Sequence, residues 1–208
     1  MMSHYEALLA YRRSVAAMYA RVRELPRDAA ETCGQFRRER DALFRTHPQS
    51  ALSARQKANF RGLDYFAYDP AWRFVLPIDH VMAPTVLNLS LDDDGPIRLQ
   101  PFGQVHLPLN NQTVSLTLFW IMGYGGGVFL HFRDATAKGE TYGGGRYLLD
   151  TIKHADLGQE GDSIVIDFNY AYHPSCAYNV RWHCPLLINH NQVPLPIPAG
   201  EKKFADFE

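Results

Sequence analysis

At 208 residues, with 46% hydrophobic and 21% charged side chains, the chain has the composition of an ordinary globular domain, which excludes disordered and fibrous classes. Its formal net charge of −1 removes the main electrostatic drive toward nucleic acid or an anionic membrane. No apolar run approaches the ~20 residues that span a bilayer, no basic region with a following apolar core opens the chain, and three cysteines, an odd number, do not read as a secreted disulfide scaffold.

The expected location is therefore the cytoplasm, with no nucleic-acid or membrane partner. Arg37, Arg38 and Arg40 do form a local basic run, but they alternate with Glu39 and Asp41, as on a solvated helix face.

From Ser3 to Leu25 apolar residues recur at helical spacing (Tyr5, Leu8, Leu9, Val15, Ala16, Tyr19, Val22). Ser3 and Glu6 stand at capping-box spacing. Pro26 ends this helix or opens the next, because proline is tolerated only in a first turn. A second helix is predicted from Asp28 to Thr46, with Ala29, Cys33, Phe36, Leu43 and Phe44 on its apolar face. Gly34 weakens it by about 1 kcal/mol relative to alanine, and Pro48 stops it. A short helix from Ser53 to Phe60 follows, ending near Gly62.

Beyond Asp64 the hydrophobic period changes from 3.6 to 2. Strands are predicted at Trp72–Leu76, Thr85–Leu91, Ile97–Phe102 (after the turn Asp92–Gly95) and Val105–Leu109. Asn110 and Asn111 suit the left-handed backbone of a tight hairpin. In the return strand Val114, Leu116, Leu118 and Trp120 share one face, with Thr113, Ser115, Thr117 and Phe119 on the other. Val128–Arg133, Arg146–Leu149 and Ser163–Phe168 make three more, and the residues from Asn169 to Pro198 are rich in proline, histidine and asparagine, as in a loop. Brief turns between strands without intervening helices imply antiparallel pairing. The expected fold is α+β: N-terminal helices (residues 1–63) packed on an antiparallel β-sandwich or partly closed β-barrel (residues 64–208), the two forming one compact unit.

The stretch from Trp120 to Pro185 carries the chemistry. Gly125–Gly127 lies between two strands and Gly143–Gly145 precedes one, so neither fits the strand–glycines–helix pattern of dinucleotide or P-loop sites. They read either as tight turns or as an anion-binding nest of N–H groups beside Arg133 and Arg146. In Ile164–Asn169 alternation places Asp167 and Asn169 on one face. If that face is covered, Asp167 needs partners, and Arg133 and Arg146 are the expected ones, in a polar cluster beneath the glycine loops. The same arginines could instead hold a ligand's carboxylate or phosphate.

Several of these motifs occur together and in order. They are Arg38-Glu-Arg-Asp41, Gly62-Leu-Asp-Tyr-Phe66, Gly123-Tyr-Gly-Gly-Gly127, Phe132-Arg-Asp-Ala-Thr136, Glu140-Thr-Tyr-Gly-Gly-Gly-Arg-Tyr147, Asp167-Phe-Asn169, Cys176-Ala-Tyr178, Cys184-Pro185 and Ala199-Gly-Glu201. In them the chain resembles, from about residue 35 to its end, a prokaryotic family catalogued as a domain of unknown function. The resemblance implies membership and carries no reaction, cofactor or catalytic residue. His173 departs from the asparagine the pattern has before Pro174, which argues against a mechanism that needs this histidine.

Asp134, Glu140, Asp167 and Glu201 could supply paired carboxylates, but no separations are legible in a sequence. Cys176 and Cys184, with His173 and His183 nearby, read as buried thiols, as a short-loop disulfide, as a nucleophile with a histidine base, or as metal ligands of unusual spacing. The expectation is two largely buried thiols that carry no metal and pin the 169–185 loop, with no cofactor. The functional expectation is a pocket for a small anionic ligand at Tyr124, Arg133, Asp134, Tyr142, Arg146, Asp167, Asn169, Tyr172 and Cys176. The alternatives are a metal-independent hydrolase using Asp167 or Cys176 in the same cleft, and a structural or partner-binding protein.

Overall fold

Residues 3–24, 29–80, 85–91 and 95–207 are described by a computed structural model of the chain. Helix α1 (His4–Arg23) begins at a capping box in which the Ser3 side chain accepts the Glu6 amide and Glu6 accepts the Ser3 amide. Helix α2 spans Ala29–Thr46 and α3 spans Ala54–Asn59, the latter opened by a second capping box between Ser53 and Gln56. The expected break at Leu25–Pro26, the start at Asp28 and the turn residues Asp92–Asp94 lie outside the described residues.

The remainder is two antiparallel sheets. The smaller orders β1 (Arg73–Pro77), β9 (Ser163–Asp167) and β8 (Gln159–Glu160) as β1-β9-β8. The larger runs β2-β4-β5-β6-β7, from β2 (Asp79–His80), β4 (Pro96–Leu109), β5 (Gln112–Met122), β6 (Gly127–Phe132) and β7 (Arg146–Asp150), with β3 (Leu87–Ser90) also on β4. The arrangement is a sandwich; among the described residues neither sheet closes on itself, so the barrel alternative drops out.

One expectation about the strands needs correction. Ile97–Phe102 and Val105–Leu109 are a single strand, β4, interrupted by a bulge: Pro101 pairs with Phe119 and Gly103 with Leu118, leaving Phe102 as the extra residue. Proline and glycine at this point are what a bulge tolerates and a regular ladder does not. The extra residue inverts the face that later residues present. Leu99 packs on the outer side with Phe119, Phe129, Tyr147 and Leu187, whereas Val105 and Leu107, of the same parity, enter the main core.

That main core fills the space between the sheets and the helices. Met18 and Tyr19 of α1 and Cys33 and Phe36 of α2 join Leu116, Leu118, Leu130, Phe132, Leu148, Ile166 and Phe168. Tyr19, Phe36 and Tyr170 stack edge to face, each ring 5.0 Å from the next. The helices thus complete the core of the sandwich. A smaller cluster of Phe44, Leu52, Phe60, Leu63 and Tyr178 fastens the end of α2 to the loop after Asn169.

Candidate functional site

The most heavily charged point of the interior is Glu201, which is 0% exposed. Gly200 brings it there: its φ is +79°, and a Cβ would lie 2.6 Å from the carbonyl oxygens of Phe168 and Ala171, so the Ala199-Gly-Glu201 stretch needs glycine at its centre. Arg40, projecting from α2, donates to Glu201 Oε2 at 2.8 Å and to the Tyr178 hydroxyl at 2.9 Å. The Tyr178 hydroxyl donates to Glu201 Oε1, the His173 amide donates to Oε2 at 3.2 Å, and His173 Nδ1 stands 3.6 Å from Oε1. Burial opposes the charge of Glu201, but Arg40, His173 and Tyr178 outweigh it and hold the carboxyl down at about 2. Burial likewise opposes the charge of Arg40; Glu201 and Tyr178 outweigh it, and the guanidinium stays protonated.

Arg40 lies 4.7 Å from the Phe44 ring and 5.2 Å from the Tyr172 ring. Its Nε is buried and has no hydrogen-bond partner. Arg40 lines a cavity of about 490 Å³ between α1, α2 and the 172–184 loop. The walls are aromatic and aliphatic, with Tyr11, Tyr19, Leu43, Tyr147, Tyr172 and Trp182 among them. Asp150 and Lys153 sit at one side, 3.5 Å apart, and Cys184 at another. The loop is held in place by the helical segment: Gln56 Nε2 donates to Tyr178 O at 2.8 Å, and Trp182 Nε1 donates to Ala51 O at 2.9 Å. A second concavity of about 430 Å³, between the outer faces of α1 and α2, carries the charges of Arg21, Glu31 and Glu39 and is a groove between helices.

The residues expected to form one site divide among four places. Arg146 is wholly buried and committed to structure. It donates to Asp134 Oδ1 at 3.2 Å, to Ile197 O at 2.9 Å and to Ala199 O. Asp134 in turn accepts from the Ile197 amide at 2.7 Å and from Thr136. Arg133 Nε donates to Gly143 O at 2.8 Å, pinning the second glycine loop. Gly145 in that loop has φ +91°, and a Cβ would lie 2.5 Å from Phe132 O, so the triplet serves a close turn.

The expected pairing of Asp167 with Arg146 or Arg133 is not what forms. Asp167 is buried, but it accepts from the amide and side chain of Asn169, at 3.0 and 2.9 Å. Burial pushes its pKa up, and Asn169, with Arg73 and Arg37 at longer range, pulls against that. A neighbouring amide satisfied the carboxylate, and the arginines found carbonyl groups. Asn169 ties β9 to the segment before β1 through both backbone groups of Asp69.

Tyr124 stands exposed at the tip of the β5–β6 hairpin, apart from the rest. Tyr172 lines the cavity, and Cys176 and Tyr142 adjoin it. Tyr142 donates its amide to His173 Nε2 at 3.2 Å and its hydroxyl to Cys176 Sγ at 3.8 Å. Arg40, Tyr178 and Glu201 were not named as one site, although each stands in a quoted motif; nothing in their separation along the chain shows that they meet.

Two other arrangements lack a site's geometry. His106 bridges Ser115 Oγ (2.8 Å) and Asp79 Oδ2 (3.0 Å) on the sheet, with Ser115 and Asp79 exposed and His106 half-buried, so water has free access to the three. Among the described residues no three His, Cys, Asp or Glu side chains come together as metal ligands. Nor, among these, is any helix long and apolar enough to cross a membrane.

A family model described as "Protein of unknown function (DUF1684)" matches residues 58–202. The solution NMR structure of an uncharacterized protein from Haloarcula marismortui is similar at 30% sequence identity and a TM-score of 0.58, covering 83% of this chain and 92% of that one. No curated protein matches the chain.

Proposed function

We propose, for this chain, which belongs to the DUF1684 family of proteins of unknown function, that it binds a small ligand with an anionic head and an apolar or planar body. The site is the cavity between α1, α2 and the 172–184 loop. The pocket framed by the glycine loops is set aside, because Arg146 and Arg133 already serve Asp134 and backbone carbonyls.

The observation that carries the reading is Arg40: a permanently charged guanidinium whose buried Nε–H lacks an acceptor, on the wall of a cavity of about 490 Å³. That volume falls in the range of small-molecule sites, which are mostly apolar with a few fixed polar groups. A carboxylate or phosphate oxygen seated in the cavity would pair with that charge. Lys153 and Arg12, also on the walls, give the lining an excess of positive charge over Asp150. Tyr11, Tyr172 and Trp182 offer ring faces and edges to the body of the ligand. Hydrolysis has less support: Asp167 is bonded to Asn169, and Cys176 is held protonated by its hydrogen bond to Cys184 and by burial.

Thermal unfolding with octanoate, phenylacetate and phenyl phosphate, against octanol and phenylacetamide as uncharged controls, tests the reading. A ligand at ~100 times its Kd adds about 2.7 kcal/mol, or roughly 5–10 °C in Tm for a chain of this size. The acids should raise Tm and the controls should not. Lys153→Gln should weaken the effect, and Leu8→Trp, which narrows the cavity from α1, should abolish it. Equal shifts from acids and controls, or shifts that survive Leu8→Trp, would place binding elsewhere.

A further inference from the structure

Cys176 and Cys184, eight residues apart, meet at the edge of the cavity. The Cys176 amide donates to Cys184 Sγ at 3.4 Å, and the two thiols are hydrogen-bonded to each other. Both are half-buried and free, whereas the third cysteine, Cys33, is 0% exposed in the main core. The environment divides the pair into unequal partners. Cys184 receives amide hydrogen bonds from Ser175 and Cys176 and faces the charge of Lys153. Cys176 sits in the short 3₁₀ turn Ser175–Ala177, with the Tyr142 hydroxyl 3.8 Å from its sulfur.

We infer that this pair is a thiol–disulfide exchange site for low-molecular-weight disulfides, with Cys184 the attacking thiol and Cys176 the resolving one. The Cys184 thiolate attacks one sulfur of the incoming disulfide. That S–S bond breaks, one thiol leaves as its thiolate, and Cys184 carries a mixed disulfide. Cys176 then loses its proton, attacks Cys184 Sγ and displaces the second thiol, which takes up a proton. Two protein thiols are oxidised to one disulfide, and one external disulfide is reduced to two thiols. The order of events follows from thiolate character. The hydrogen bond from Cys176, aided by the backbone amides and Lys153, brings Cys184 down to about 7 against the effect of burial. The same hydrogen bond and burial push Cys176 up. Cys33 is raised to about 11 by burial and stays out of the exchange.

The proposal does not depend on the cavity's ligand, because both cysteines are partly exposed. The test treats the reduced native protein with oxidised glutathione and follows it by intact mass and peptide mapping. The wild type should form an internal Cys176–Cys184 disulfide, reversed by dithiothreitol, with Cys33 unmodified. Cys176→Ser should stop at one glutathione, on Cys184. Cys184→Ser should react at least roughly tenfold more slowly. Timed alkylation of the unsubstituted protein, with Cys184 labelled first, gives the same ranking should either variant fold poorly. A wild type that gives no internal disulfide, or only a stable glutathione adduct, overturns the exchange; labelling of Cys176 ahead of Cys184 overturns the assignment of roles.

Discussion

Glu201 and Arg146 show two ways of burying a charge. Arg146 stands with Asp134 in a cage of carbonyl and amide groups that leaves its charge no outward task. Glu201 is held by Arg40, which, unlike Arg146, stands on the wall of a cavity; Nε is left without a partner in both arginines. Because the carboxyl of Glu201 is depressed to about 2 from 4.5, its stabilisation is full above the unfolded value and fades as pH falls from about 4.5 to about 2. Its size is on the order of 3 kcal/mol. Asp41 and Asp167, both raised chiefly by burial, act in the opposite sense, so the net acid response is a sum. Comparison with Glu201→Gln isolates the one residue. Denaturant unfolding should find the variant about 3–5 kcal/mol less stable at neutral pH, because Arg40 is left buried without its partner. The gap should narrow between pH 5 and pH 2; a gap independent of pH would mean that Glu201 is not the charged partner.

Residue-level reading of the chain succeeded on need and failed on partner. Alternation in Ile164–Asn169 implies that Asp167, if covered, needs partners; it is covered and has them. Which group meets it depends on where arginines far earlier in the chain point, and a local amide reached it first.

Between elements the decisive contact is α2 against the β-layers. Its Cys33 and Phe36 enter the main core, and Arg37 donates to Phe66 O at 2.9 Å and Asn169 O at 3.3 Å, with its guanidinium 4.5 Å from the Tyr65 ring. We therefore propose that residues 1–63 and 64–208 are one folding unit. A chain beginning at residue 64 should lack cooperative thermal unfolding and bind a hydrophobic dye, because it would expose the core face that Met18, Tyr19 and Phe36 cover. A cooperative, dye-free fragment would show two independent domains. Helices and strands were legible in the sequence because hydrophobic period reports them directly. The join across Phe102 was not, since proline and glycine read equally as a turn and as a bulge.

For the molecule as a whole, the proposed function rests on space enclosed by segments far apart in the chain: α1, α2, the end of β7 and the loop after Asn169. Periodicity cannot report such a cavity, and the glycine-rich stretch drew attention to turns that here serve packing. Arg40, Tyr178 and Glu201 lie in motifs legible in the sequence, but only folding brings Arg40 and Tyr178 to one wall with Glu201 behind them. The direct test of ligand binding there is an amide and methyl chemical-shift titration of the protein with octanoate and phenyl phosphate. The account predicts perturbations centred on Tyr11, Arg40, Leu43, Tyr172 and Tyr178. Perturbations centred on the turns at Gly123–Gly127 and Gly143–Gly145 beside Arg133, or none at millimolar ligand, would contradict it.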